Sequence, residues 1–176
     1  MTSNLRARLA IFSVICATPL AACTVTQAKT ASSPSGVAAP ADVVSELVAF
    51  YAGQDQANRD GMNSTQLAER FYSEDVIITG EGDAGARRGS ASAVKALDDW
   101  FAYLGPEGNK GCAFTVKDTV VSSDQNMASV FAVLTCRPNP PTLTKPETIR
   151  QLFVLKRTAQ GWRVVREMWQ AGGFGD

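Results

Sequence analysis

The block from Glu147 to Ala171 leaves the chain little choice of fold. Gln151–Lys156 (QLFVLK) and Trp162–Arg166 (WRVVR) are rich in β-branched and aromatic residues. Thr158–Gly161 (TAQG) between them ends in the glycine that a left-handed turn position needs. The block predicts two long strands folded back as a β-hairpin. A second hairpin precedes it: Cys112–Val121 runs out, turns through Ser122 to Asn126, and returns as Met127–Cys136. Between the hairpins, Pro138, Pro140, Pro141 and Pro146 have no N–H to give to a ladder, so that stretch reads as a loop.

Such a sheet needs something to cover its apolar face, and the upstream segments supply it. Asp42 is placed to N-cap a helix whose stripe is Val43, Val44, Leu47, Phe50, Tyr51 and Gln54, running to about Asp60 where Gly61 can close it. Asn63 with Gln66 forms a capping-box pattern for a short helix carrying Leu67 and Phe71. Tyr72–Asp75 is expected to break that helix, Val76–Thr79 to form a short strand, and the glycines at 80, 82, 85 and 89 to make a loop with a small return strand at Ala86–Arg88. Ser90 opens a third helix with the stripe Val94, Leu97, Phe101 and Leu104, stopped by Gly105-Pro106. Trp100 and Tyr103 widen that stripe, either as core cover or as a stacking surface for a ligand.

The chain has 176 residues, 45% of them hydrophobic, enough for one domain with its own core. It carries 17 basic and 17 acidic residues, and Arg6 and Arg8 are the only charges before Cys23. The remainder is therefore two charges negative and has no footprint for nucleic acid. There is no histidine, which removes imidazole bases, Cys-His and Ser-His nucleophile pairs and nearly all zinc sites. No metal and no cofactor is expected.

Arg6 and Arg8, an apolar run from Leu9 to Leu20 and small residues after it have the layout of a secretory signal, and the run is too short to span a bilayer. Leu20-Ala21-Ala22-Cys23 resembles the lipobox of bacterial lipoproteins. That resemblance implies removal of residues 1–22 and a diacylglycerol on Cys23, hence a membrane partner and a place on the periplasmic side of the cell envelope. Thr24 after the cysteine favours the outer membrane in a Gram-negative source. Residues 23–40 are small, polar and aperiodic, a tether spanning roughly 20 to 25 Å. The folded domain is then residues 41–176.

Phe71–Ile77 (FYSEDVI), Gly89 before the third helix, Met127–Val130 (MASV) and Gly161–Val165 (GWRVV), in this order of elements, resemble the nuclear transport factor two-like superfamily and its SnoaL-like branch. The resemblance covers about Asp42 to Gln170. It implies an α+β cone: a strongly curved antiparallel sheet wrapped on three helices, with a pocket on its concave side. Function does not follow, because the superfamily mixes isomerases, dehydratases, cyclases, epoxide hydrolases, oligomerisation modules and members of no known activity.

The candidate site residues come from strand alternation. Phe114, Val116, Asp118 and Val120 share a face of the upstream hairpin, so Asp118 is a carboxylate on an apolar stripe. Setting Arg157 opposite Trp162 puts Arg150 opposite Trp169 and Leu152 opposite Glu167, which clusters Arg150, Glu167 and Trp169 on one face. Tyr51, Trp100, Arg150 and Trp169 are the candidate ligand contacts, and Asp118 and Glu167 the candidate catalytic carboxylates. Both alternating sets are half apolar, so the concave face stays open. Asp55 and Arg59, four apart on the first helix, read as a surface pair.

Three functions are carried forward. The first is a lipid-anchored module that binds a small apolar ligand or a partner without catalysis. The second is a small isomerase or cyclase, which needs Asp118 or Glu167 deep in the pocket within reach of Tyr51, Tyr72 or Tyr103, where burial raises a carboxyl pKa. The third is a homo-oligomer, in the simplest case a homodimer, formed through an outer sheet face that bears Phe131 and Val133. A disulfide is also expected. If Val121 and Met127 face each other across the turn, counting back sets Cys112 against Cys136, Phe114 against Leu134 and Val116 against Ala132. The apolar pattern supports this in part, since a slip to Phe114 against Val133 also keeps apolar pairs.

Overall fold

The computed structural model describes residues 40–137, 143 and 145–174. Cys23 and the signal and tether expected before residue 40 lie outside the described residues. Among these residues no helix is long and apolar enough to cross a membrane.

Helix α1 (Ala41–Arg59) begins after Pro40, whose carbonyl accepts the first helical bond from the Val44 N–H at 3.1 Å. Asp42, expected as the cap, instead lies in the first turn, where its charge faces the positive end of the helix dipole. Helix α2 (Ser64–Phe71) opens on the capping box: the Asn63 side chain accepts from the Gln66 N–H and the Gln66 side chain accepts from the Asn63 N–H, both at 3.0 Å. Strand β1 (Tyr72–Gly80) follows without a break, so Tyr72–Asp75 belongs to a strand rather than a connector. Strand β2 (Arg87–Arg88) is short, and α3 (Ser90–Leu104) starts from Gly89 and ends at Gly105, both at positive φ. After a 3₁₀ turn at Gly108–Gly111 come β3 (Cys112–Val121), β4 (Met127–Cys136), β5 (Glu147–Thr158) and β6 (Gly161–Ala171).

The six strands form one strongly curved sheet in the order β2-β1-β6-β5-β4-β3. It is mixed rather than wholly antiparallel, because β1 pairs with β6 in parallel, Ile78 beside Glu167 and Gly80 beside Trp169. Strand alternation is the same in either direction, so sequence pattern alone does not reveal it. Helix α1 packs across β3, while α2 and α3 pack on each other and on β1. Val43, Leu47, Leu67, Val76, Val130, Phe153, Leu155 and Val164 are fully buried between them. Leu104, Cys112, Leu134, Cys136 and Leu143 make a second apolar cluster.

Two β-bulges, one residue each, set which side chains face inward. In β6, Leu155 pairs with Val164 and Val154 with Arg166, leaving Val165 without a partner. Trp162 and Val164 point in before the bulge; after it Arg166 is exposed and Glu167 is buried. The register expected from the turn therefore holds only as far as Val164. Beyond it Glu167 faces Phe153, Trp169 faces Gln151 and Arg150 faces Gln170, so the expected cluster of Arg150 with Glu167 and Trp169 does not form. In β3, Lys117 is the unpaired residue between the Val116–Ala132 and Asp118–Phe131 pairs. Phe114 and Val116 face the core, then Thr119 and Val121 are partly buried, while Asp118 and Val120 are exposed. A bulge adds one residue to one strand and so inverts the alternation beyond it.

The same bulge bears on the disulfide. Val121 faces Ala128 rather than Met127, one residue from the expected turn register. Lys117 absorbs that residue, and Cys112 and Cys136 are directly paired and disulfide-bonded, with Cα atoms 3.9 Å apart.

Candidate functional site

The concave side of the sheet and the three helices enclose a cavity of about 400 Å³. Its walls are mostly apolar: Leu67 from α2, Ile78 from β1, Leu97, Trp100 and Phe101 from α3, and Trp169 from β6. Trp169 keeps its place because its strand neighbour is a glycine. A Cβ on Gly80 would lie 2.0 Å from the indole, far inside contact distance. Trp100 stacks on Tyr103, with ring centroids 5.5 Å apart, and the Tyr103 hydroxyl donates to Glu147 at 3.0 Å.

One buried carboxylate lies among these rings. Glu167 is 8% exposed and accepts two hydrogen bonds, from the Tyr72 hydroxyl to Oε2 and from Gln151 Nε2 to Oε1, both at 2.8 Å. Tyr72 reaches it from the first residue of β1, and Gln151 from β5, diagonally across the β5–β6 ladder. Gln54 of α1 is buried and lines the same cavity. Burial pushes the Glu167 carboxyl above its ordinary value, against the two hydrogen bonds that favour its charged form. Burial, then the Glu167 charge, hold the Tyr72 phenol well above the tyrosine range. The same two causes act on Tyr51.

The other lining charges are Arg87, Asp99 and Glu147. Among the described residues Arg87 is the one basic residue of the lining, and it is already bound to Asp83 at 2.9 Å and Asp99 at 3.1 Å. Among the described residues no group of three or more His, Cys, Asp and Glu side chains converges to hold a metal.

Of the residues singled out from the sequence, Glu167, Trp100 and Trp169 line the cavity together. Tyr51 does not reach the wall; it is buried in α1, its ring against Phe50, Phe114 and Phe153. Arg150 lies on the opposite face, donating to Gln170 Oε1 and to the Gly173 carbonyl. Asp118 is outside the cavity, turned out by the bulge, and accepts from the Thr119 N–H at 2.8 Å. Asp55 is not a surface partner of Arg59. It is 9% exposed and accepts the Phe114 N–H, tying α1 to the edge strand β3, while Arg59 donates to Gln56.

Sequence reasoning missed Gln54 and Gln151 as parts of the site. The signal was present: each is a polar side chain on an otherwise apolar stripe, Gln54 at helical spacing with Leu47 and Tyr51, Gln151 alternating with Phe153 and Leu155. Of the three tyrosines expected within reach of a buried carboxylate, Tyr72 is the one bonded to Glu167; the parallel pairing of β1 with β6 brings them together across 95 positions of sequence.

The curved sheet closed by three helices around a ligand-sized cavity, with Glu167 and its polar partners at the floor, has the nuclear transport factor two-like fold. No protein-family model matches the chain, and no curated protein matches it in sequence. Solved structures do match. A ketosteroid isomerase-like protein from Erwinia carotovora atroseptica aligns with TM-score 0.53 and 18% identity over 75% of this chain and 95% of its own. An NTF-2 like protein of unknown function from Shewanella oneidensis aligns at 0.56 and 15% over 72% and 98%, respectively. An NTF2-like protein with a cystatin-like fold from Novosphingobium aromaticivorans aligns at 0.54 and 19% over 76% and 84%. At such identities the likeness is one of fold.

Proposed function

We propose that this chain is a lipid-anchored protein of the bacterial envelope whose cone binds a small, mainly apolar ligand without transforming it. The cavity of about 400 Å³ with a single buried carboxylate carries the ligand half of this reading. The apolar run and Leu20–Cys23 support the anchored half. Against catalysis stands the hydrogen-bond pattern. A ketone isomerase needs a carboxylate base and a separate donor for the substrate oxygen. Here the Tyr72 proton is already committed to Glu167, and Tyr103 to Glu147.

A neutral fluorescent dye, N-phenyl-1-naphthylamine, tests binding. Saturable one-to-one enhancement is expected, weakened by Leu97→Trp, which fills the cone. A folded protein that shows no saturable enhancement would sink the reading.

One observation favours the second reading, proton transfer: Glu167 is buried, within 2.8 Å of Tyr72, and its carboxyl is shifted upward. Turnover of hydrophobic ketones or enones that disappears in Glu167→Gln would establish it. For the assembly reading, Phe131 is exposed on the outer face with Phe174 edge-on beside it, while Val133 is buried.

A further inference from the structure

The lining at the floor of the cone gathers acceptors around Glu167; the Tyr51 hydroxyl, a buried donor that lacks a partner, is not part of that lining. Glu167 brings two carboxylate oxygens, and the protein supplies one donor to each. A carboxylate has about four lone-pair sites, so roughly two remain. Gln151 must turn its NH₂ to Glu167, because a carboxylate only accepts. Its carbonyl oxygen is left behind, and neither Gln151 Oε1 nor Gln54 Oε1 finds a donor. Gln54 is 5% exposed and Gln151 8%, and both line the cavity. Buried acceptors without donors are costly.

Among the described residues no free cation of the lining offsets this: its one base is Arg87, and two carboxylates already hold it. The four charged lining residues, Arg87, Asp99, Glu147 and Glu167, leave the cavity net negative. Its walls carry aromatic faces, Trp100, Phe101, Phe114 and Trp169 among them, which attract a positive charge through their quadrupoles. What complements a carboxylate, two donor-less amide oxygens and aromatic walls is a group with several N–H donors, no acceptor and a positive charge. A protonated amine has all three properties.

We propose that the ligand is an organic amine, an ammonium group on an apolar body, with the ammonium on Glu167 and the body against Trp100 and Trp169. The inference rests on the reading of the cone as a ligand site and names the chemistry of that ligand. It accounts for a carboxylate in an apolar cavity with no basic partner among the described residues: the missing countercharge comes with the ligand.

A matched pair of probes separates the two claims. 1-Naphthylmethylamine is a cation near neutral pH and 1-naphthalenemethanol is not, while their ring bodies are the same. Each is titrated by calorimetry into the full chain and used to displace the neutral dye. The amine is expected to bind about 10-fold or more tightly than the alcohol, the scale of a hydrogen bond to a charged group. In Glu167→Gln that preference should fall to about 2-fold or less, since the amide offers the ammonium no negative charge. Equal affinities in the unmodified protein, or a preference that survives Glu167→Gln, overturn the amine inference and leave the cone as a site for neutral ligands. If neither probe nor the dye binds, the ligand reading falls and the inference with it. Should Glu167→Gln fail to fold, the double variant Asp99→Asn, Glu147→Gln decides. It removes the other lining carboxylates, so a retained preference assigns the ammonium to Glu167 and a lost one overturns that assignment.

Discussion

At the scale of the residue, the cost and the use of Glu167 are the same property. Its carboxyl is buried, and the Tyr72 O–H and Gln151 N–H are the two groups that hold its charge. Tyr72→Phe removes one of them while keeping the ring, so the variant should unfold about 1 to 3 kcal/mol more easily near neutral pH. Denaturant titration reads that difference. The pH dependence follows from the direction of the shift. Burial raises the folded carboxyl above its ordinary 4.5, so the folded state holds its proton to higher pH than the unfolded chain does. Glu167 therefore costs no stability below that ordinary value; the penalty grows as pH rises from there towards the raised one and is complete above it. Glu167→Gln has no such proton to lose. Its stability relative to the unmodified protein should improve steadily from acid to neutral pH, and a difference that stays flat across that range would contradict the buried placement of the carboxylate.

At the scale of the element, the β3–β4 hairpin is closed at its open end by Cys112–Cys136, across a sequence separation of 24. A loop of that size predicts a contribution of about 3 to 4 kcal/mol in the chain-entropy picture. Replacing both cysteines by alanine should lower the unfolding midpoint accordingly, and reductant should reproduce the effect in the unmodified protein but not in the variant. The hairpins, the helices and the disulfide were legible in the sequence because each is written locally: an alternating run, a capping pair, a glycine at a turn. The inward set of each strand was not. Asp118 and Glu167 look equivalent in the sequence, each a carboxylate in an alternating strand. A bulge at Lys117 turns the first outward, and one at Val165 carries the second inward. Neither Lys117 nor Val165 has a composition that marks a bulge, since both suit a regular strand. The parallel pairing of β1 with β6 was hidden for a related reason, as strand direction is settled by the crossover through α3 and the later strands rather than by any residue of β1.

At the scale of the whole molecule, the expected anchor and the domain are joined only through residues 23–40. Cys23→Ser should therefore free the protein from the membrane fraction while leaving its thermal midpoint and its dye binding unchanged. Continued membrane association of that variant, with its signal cleaved, would overturn the lipoprotein reading. The bulge in β6 has a consequence for how such a cone changes its contents. It works as a reading frame: from the turn to Val164 one parity faces the core, and from Arg166 onward the other parity does. Deleting Val165 would regularise the ladder and keep Glu167 opposite Phe153, whereas deleting a residue between Glu167 and Trp169 would swing the indole out of the cavity. Sliding the irregularity in β3 past Asp118 would bring a second acid inside with no substitution at all. Insertions and deletions of single residues in these strands thus select which existing side chains the cavity displays, and a lineage can exchange one ligand chemistry for another by changing strand length instead of composition.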